Sequence, residues 1–531
     1  MMYSAYGYSV QPCSASGDEV RVYFDMVMDL SASLTLLIYV SNVAGYATLP
    51  TDSLSSQPFD GRLEKLTFQR SILQSDIGQF TTGAGQLVIN NIDASYDFLP
   101  LSYAIDGRPI TVRVGRRDAS YDKTFTVARV TAKDWDINTD NITVDLVDFS
   151  YKLEVPLQTN VYGGTGAADG GSDLSGKRKP LVFGNAMNIS PVLLVPSLLI
   201  YQCHDGSMQS IDAVYDRGAA LTAGTDYATY ALLAAASVTA GTYATAKAVG
   251  MFKLGSTPAG TVTADVKGEN TSSYITTTAD IVRWALDNRT ALADPGDIDT
   301  ASFTALNSLQ PAPIDVFIGP DDNLTVAAFI QNIMGGIGGW GGHKLDGTFE
   351  VRIFQAPSGT PLASYTRDDM LSPDIKRQPL PTAYQPPPWR WRVPYQRCWT
   401  VQTTDLAGSV TAARRSFLAA DSRLAEADSP SIQADHPFAQ DRNPIVAYFS
   451  NQADAQAEAT RRINLFKTTR AIYRMLVPRR GLRRDIGDVI MVTHPRFDLP
   501  FGRLMTIVET NINVDFTASG GFDGVEIAAY G

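Results

Sequence analysis

Cysteine is scarce in this sequence: three in 531 residues, Cys13, Cys203 and Cys398. They lie far apart and form no C-x-x-C, which excludes a disulfide scaffold and fits folding in a reducing cytoplasm. An iron–sulfur cluster draws four thiolates from one site, so that cofactor is excluded too. Histidine is equally thin, with His204, His343, His436 and His494. None makes H-x-x-x-H, and only the adjacent Cys203-His204 places two zinc-type ligands close together. Neighbours on a strand point to opposite faces, so this pair reads as structural.

Charge is modest at 19% of residues, and its excess is acidic, with a net charge of -11. That balance argues against nucleic acid as the main partner. The basic clusters Gly176-Lys177-Arg178-Lys179 and Arg479 to Arg484 are local and read as solvated or interface loops. Long apolar runs are missing as well. Leu34–Val40 and Pro191–Tyr201 are too short to span a bilayer, and Pro196 interrupts the second. The start, MMYSAYGYSVQP, has neither a basic n-region nor an apolar h-region, so a soluble chain without a signal peptide is expected.

What is present is a globular composition, 44% hydrophobic, in a chain long enough for about three to four domains. Strand signals dominate its first part, over Val20–Met28 and Ser33–Val40. Apolar and polar residues alternate through Ile110-Val112-Val114 and Ile142-Val144-Leu146, the period of a sheet with one buried face. Asn138 to Asn141 is the turn between strands. The block reads as an antiparallel barrel or sandwich ending near Leu157. NVYGGTGAADGGSD, residues 160–173, is a loop or linker. An Ala-, Thr- and Gly-rich segment follows to about Lys267, with strands over Ser210–Tyr215 and Gly260–Val266; Ala231–Ala236 fits helix or strand.

Helices are predicted over Thr276–Asn288, Ile298–Leu309 and Leu324–Met334, with Ala293 to Gly296 as a turn. Asp321 and Asp322 favour the dipole of the third helix, and Val326, Phe329, Ile330 and Ile333 form its apolar stripe. MGGIGGWGG, residues 334–342, then satisfies G-x-G-x-x-G through Gly336, Gly338 and Gly341. A dinucleotide site needs strand, glycine loop, helix, because the helix N-terminus attracts phosphate. Here the order is helix, loop, strand, so the loop meets a negative helix end. The glycines read as a C-cap and turn that let a sheet pack close, with Trp340 packed there.

Residues 377–399 begin with a proline-rich connector and continue with Trp389, Trp391 and Trp399 among Arg390, Arg392 and Arg397. They read as an aromatic strand packed on its neighbour, or as a stacking platform for sugars or bases. Beyond lies a long helix, Gln452–Phe466, whose Arg-rich end suits its dipole. Four strands follow: Thr469–Pro478, Val489–Thr493, Arg503–Val514 and Val525–Tyr530. GRLMTIVETNINVDF…GVEIAAYG repeats the rhythm of FTVARVTAKDWDI…NITVDLVDF, which suggests an internal duplication.

No catalytic kit is visible. G-x-S-x-G and the P-loop are absent; Gly171 to Lys177 comes near the latter but places Arg178 where a hydroxyl is needed. Asp321-Asp322 and Asp368-Asp369 are carboxylate pairs in polar turns. No catalytic, cofactor-binding or metal residue is assigned.

Several segments resemble a known family. Trp399-Thr400-Val401-Gln402, Asp405 to Val410, the helix ending Ala459–Arg462, Ile486 to Ile490, Gly502 to Met505 and the closing Ala528-Ala529-Tyr530-Gly531 resemble central hub proteins of long-tailed bacteriophages. Gly338 to Gly342 with Leu345 to Phe349 and Gln355 to Pro357 fit the same pattern, as do Gly176–Gly184 and Asn185. The resemblance implies a mainly β chain with α+β parts. Its expected domains are a tube-like β-barrel at 1–160, an inserted β-rich domain at 161–310, a small α+β domain at 311–376 and a second tube-like barrel at 377–531.

By the same resemblance the protein is a structural virion component, not an enzyme, without cofactors. It is expected to form a homotrimeric baseplate hub at the tail tip, made in the host cytoplasm. The ring would adapt the sixfold tail tube and distal tail protein to a threefold central fibre. Tape measure protein is a further partner, and DNA passes its channel without specific binding. The alternatives are a cell-wall-degrading enzyme hidden in residues 175–310, which hold one glutamate, Glu269, and one histidine, His204, or a carbohydrate-binding adhesin using the 389–399 aromatics.

Overall fold

The computed structural model describes residues 20–30, 34–73, 82–116, 119–293, 296–381, 384–515 and 523–531. The expected turn at 293–296 and Cys13 fall partly or wholly outside them. The chain is mainly β, in several sheets and domains. Its first block contributes β1 (Val20–Leu30), β2 (Leu34–Ser41), β3 (Leu63–Ser71), β4 (Ala84–Asn90), β5 (Pro109–Arg116), β6 (Phe125–Ile137) and β7 (Asn141–Val147). The period-two reading holds: Ile110, Val112, Val114, Ile142, Val144 and Leu146 are all buried. Each such side chain contributes roughly 1.5–3 kcal/mol by leaving water.

Two sheets of four and five strands form the inserted segment, built largely between Asn185 and Glu269. Tyr230–Ala235 is a short helix, because the Thr229 hydroxyl accepts from Leu232 N–H and caps it. Next come α1 (Thr278–Arg289), α2 (Thr300–Leu309), α3 (Val326–Gly336) and the hairpin β8 (Gly339–His343) and β9 (Phe349–Ile353). Thr325, not Asp321 or Asp322, caps α3, accepting from Ala328 N–H. The two aspartates lie in the preceding turn, where Asp322 accepts from Gly319 N–H.

The last block holds β10 (Ala363–Thr366), β11 (Lys376–Gln378), β12 (Arg390–Tyr395), β13 (Arg423–Asp428), α4 (Gln452–Lys467), β14 (Ile472–Pro478), β15 (Val489–His494), β16 (Leu499–Asp515) and β17 (Asp523–Tyr530). Its strands do not form a sheet of their own. One 13-stranded sheet runs β2-β1-β5-β6-β7-β4-β3-β16-β17-β14-β11, with β15 and β10 branching from β16. Among the described residues this order is an open path. Two units, one from the first block and one from the last, thus share this sheet.

Those units are copies of one another. β3 to β7 lie in the sheet as β5-β6-β7-β4-β3, and β11, β14, β15, β16 and β17 lie as β15-β16-β17-β14-β11, in the same chain order. A single rung makes the match explicit. Thr131 faces Pro109 and Val147, Val147 faces Ala84, and Ala84 faces Gln69. Thr506 faces Val489 and Tyr530, Tyr530 faces Ile472, and Ile472 faces Gln378. Immediately past the rung each long strand shifts register, between Ala132 and Asp134 and between Ile507 and Glu509.

The turn beside the rung is duplicated too. Gly107 (φ +75°) donates to Ala132 O at 3.0 Å, and Gly487 (φ +87°) donates to Ile507 O at 2.8 Å. Both need a left-handed backbone that glycine adopts without penalty. The repeated rhythm read from the letters is thus a repeated register. The units meet where β3 pairs with β16, from Ser71 opposite Glu509 to Lys65 opposite Asp515.

Candidate assembly seam

Several of the charged groups that the fold buries collect where its parts meet. Arg70, on β3, is 2% exposed and ion-pairs with Asp485 of the second unit. The same guanidinium donates to the His343 carbonyl, and Asp485 accepts from Leu345 N–H at 2.8 Å. One arginine therefore ties the first unit, the β8–β9 hairpin and the second unit. His343 itself is buried between Phe149 and Phe349, and burial pushes its imidazole down to about 3. It is neutral and packed.

At the junction, Glu509 accepts both guanidinium nitrogens of Arg474 at 2.6 and 2.9 Å, and takes Gln69 and Ser71 from β3 at 3.3 Å each. On the hairpin, Arg352 Nε lies 2.8 Å from Glu350. Burial raises the Glu350 carboxyl, while Arg352 and its hydrogen bond act in the opposite direction. These two residues, with Trp340 and α2, line a cavity of about 400 Å³ against Gly487 and Thr506.

The glycine loop is part of this seam. Gly335 and Gly336 complete α3, one residue pair later than the sequence suggests, and Gly338 turns at φ +65°. Three carbonyls at that helix end are met by arginines of α4. Arg462 donates to Gly335 O and Gly336 O at 3.1 Å each, and Arg461 donates to Ile337 O at 2.9 Å. Buried Glu458 aligns both guanidiniums, at 2.7 Å from each Nε. The arginines of α4 thus serve the C-terminus of α3 rather than their own helix dipole, which corrects the expectation. A phosphate is disfavoured here by the helix end; cationic side chains already occupy it. Trp340 packs with Phe354, Trp391, Phe466 and Tyr530.

Other residues singled out by the sequence are dispersed. Trp391 is buried and stacks on Phe466 with ring centres 5.7 Å apart. Trp399 stacks on Tyr448 and donates its backbone N–H to Met187 of the inserted segment. Trp389 lies under Arg390, and Arg392 turns to Glu426 and Asp441. The structure does not gather the three rings into one platform; the packed-strand reading holds for Trp391. Asp369 caps its turn with Thr366 and pairs with Arg480, whereas Asp321 sits beside Lys177.

His204 and Glu269, the lone histidine and glutamate of residues 175–310, are 3.2 Å apart and buried. Val182 N–H donates to His204 Nδ1 at 3.0 Å, which leaves the Nε2 proton to point at Glu269. Neighbouring Cys203 is buried, which raises its thiol far above the ordinary range. Sequence reasoning missed Arg70, Asp485, Glu458, Arg461 and Arg462. Only the E-x-x-R-R spacing on one helix face signalled any of them.

No family model matches the chain, and no curated protein matches it. Several solved structures do. The tail protein from Neisseria meningitidis MC58 is 9% identical, with 96% of each chain covered and a TM-score of 0.39. The 43 kDa tail protein of prophage MuSo2 from Shewanella oneidensis is 10% identical, with 96% of each covered and a TM-score of 0.39. Prophage tail protein gp18 from Listeria monocytogenes EGD-e is 7% identical, covering 95% of this chain and 94% of its own, at a TM-score of 0.38. Among the described residues no helix is long and apolar enough to cross a membrane, and no cluster of three metal-type ligands occurs.

Proposed function

We propose that this chain is a structural subunit of a phage tail tip, three copies of which form a hub ring. The observation that carries the reading is the doubled unit. Two copies of one five-strand pattern per chain, joined edge to edge, give three chains six equivalent positions around an axis. Such a ring matches a sixfold tube and distal tail protein on one side and a threefold fibre on the other. The inserted segment and the small helical domain then lie outside the repeated units, and the four-part division of the chain is kept as part of this proposal.

The net charge of -11 suits a ring through which DNA passes without sticking. The dispersal of Trp389, Trp391 and Trp399 speaks against the adhesin alternative, and the burial of His204 and Glu269 speaks against a lytic site built on them. Native mass spectrometry of the full chain tests the ring: a three-subunit mass is expected, and a chain that stays monomeric at high concentration overturns it. Immunogold labelling of particles tests the place; label away from the tail tip would sink it.

A further inference from the structure

The junction between the two units has a counterpart that the chain leaves open. In the second unit, β16 is longer than its partner β15. Beyond its register shift, β3 occupies the edge that β15 leaves bare, over Glu509 to Asp515. In the first unit, β6 likewise outruns β5, whose pairing stops at Thr131. The equivalent edge, Lys133 to Ile137, has no strand on it among the described residues, and Lys133, Asp134 and Asp136 are exposed.

The strand equivalent to β3 is β11. It ends the sheet, pairs on one side only, and all three of its residues are exposed. An edge strand with free N–H and C=O groups is a template for another chain. One chain cannot bring its own β11 to its own β6, because they belong to opposite ends of the shared sheet.

We infer that β11 of one copy adds to the free edge of β6 in the next copy, repeating between chains the β3–β16 junction made within each. This rests on the ring reading above and names the surfaces that close it. The rung sets the register. Gln69 corresponds to Gln378 and Asn511 to Asp136, and Gln69 faces Asn511 within the chain. Between chains, Gln378 therefore faces Asp136, Arg377 faces Ile137 and Lys376 faces Asn138.

Charge agrees with this pairing. Lys376, opposite Asn138, lies diagonal to Asp136 on the same face, and Asp134 holds the position where Glu509 receives Gln69 and Ser71. The halves are also opposite in sign. Residues 1–157 carry 12 Lys and Arg against 19 Asp and Glu, and residues 377–531 carry 19 against 15. Such a contact is heterologous, and it makes a closed ring only if its rotation closes. The internal junction supplies that rotation once per chain already.

Cysteine cross-linking of the full chain tests the register, in a Cys13→Ser background; Cys203 and Cys398 are buried. Strand neighbours lie about 4.5–5.5 Å apart at Cα, within disulfide reach. With both Gln378→Cys and Asp136→Cys in one chain, oxidation is expected to give covalent trimers. An equimolar mixture of the two single variants should give dimers, while each variant alone stays monomeric on a denaturing gel. Lys376→Glu should weaken association at least tenfold, and adding Asp136→Lys should restore it.

If the native chain is trimeric but the paired cysteines remain reduced and the charge reversal changes nothing, the edge pairing is wrong and the ring stands. If the native chain does not assemble, both fall.

Discussion

Single residues hold this molecule together at places where no element could. Arg70 is the clearest case, since its guanidinium reaches Asp485 and the His343 carbonyl from a third part of the fold. Removing one partner of a buried ion pair strands the other, at a cost of about 3–5 kcal/mol. Arg70→Ala is therefore expected to lower the unfolding free energy, read from urea denaturation, by that amount, and a loss below about 1 kcal/mol would contradict the tie.

His343 makes a pH prediction at the same scale. Its ordinary value is 6.5, and burial lowers it to about 3 in the folded protein. Between those values the unfolded chain binds a proton that the folded chain refuses, so stability falls as pH drops from 6.5 toward 3. The loss reaches up to about 5 kcal/mol. Asp315 works in the opposite sense: burial raises it to about 7, which removes stability as pH rises from 3.8. His343→Phe should remove the first contribution alone. Urea midpoints of variant and parent should diverge below pH 6 and run parallel above pH 8.

At the scale of elements, the repeated turn offers a paired test. Gly107 and Gly487 share their left-handed backbone, but a Cβ on Gly107 meets open space, whereas one on Gly487 would lie 2.4 Å from the Arg352 guanidinium. Gly107→Ala should cost about 1 kcal/mol for backbone strain alone. Gly487→Ala should cost more, since Arg352 must shift away from Glu350. Equal losses, read from thermal unfolding, would mean that the two turns are not packed as described.

The strands β5, β6 and β7 of the first unit, β14 to β17 of the second and the long helix were legible in the sequence, because period-two and helical burial write themselves into neighbouring letters; β3, β4 and β11 were not read. The repeated rhythm of β6–β7 and β16–β17 was legible for the same reason. The pairing of β3 with β16 was not: Gln69 and Glu509 are 440 positions apart, and no local pattern links them. Asp321 and Asp322 misled because two acids in a turn resemble a helix start, while Thr325 alone supplies the cap. At the seam, Trp340 was read as packed, but the arginines that meet its glycines came from a helix whose target no letter names.

At the scale of the whole molecule, buried chemistry and surface chemistry separate. Trp391 and the His204–Glu269 pair are spent inside the fold, and the proposed contacts with other chains use the sheet edges. Trp389→Ala is therefore expected to leave both assembly and host adsorption unchanged in complemented particles. A particle that assembles but no longer adsorbs would favour an adhesin instead. Because Lys376 and Asp136 are exposed, dissociation of the proposed trimer should also rise with salt, as surface ion pairs are screened within about 10 Å at 0.1 M.

The β3–β16 pairing has one more consequence, for the order in which the protein is made. β3 leaves the ribosome long before the strand that covers it, Gln69 and Glu509 being 440 positions apart. Until β16 is made, β3 presents a bare edge, and non-local pairing of this span is slow to form. A nascent or prematurely terminated chain would carry that edge exposed, so fragments ending before residue 499 should aggregate while the finished chain does not. Synthesis of β16 is thus the event that seals the first unit.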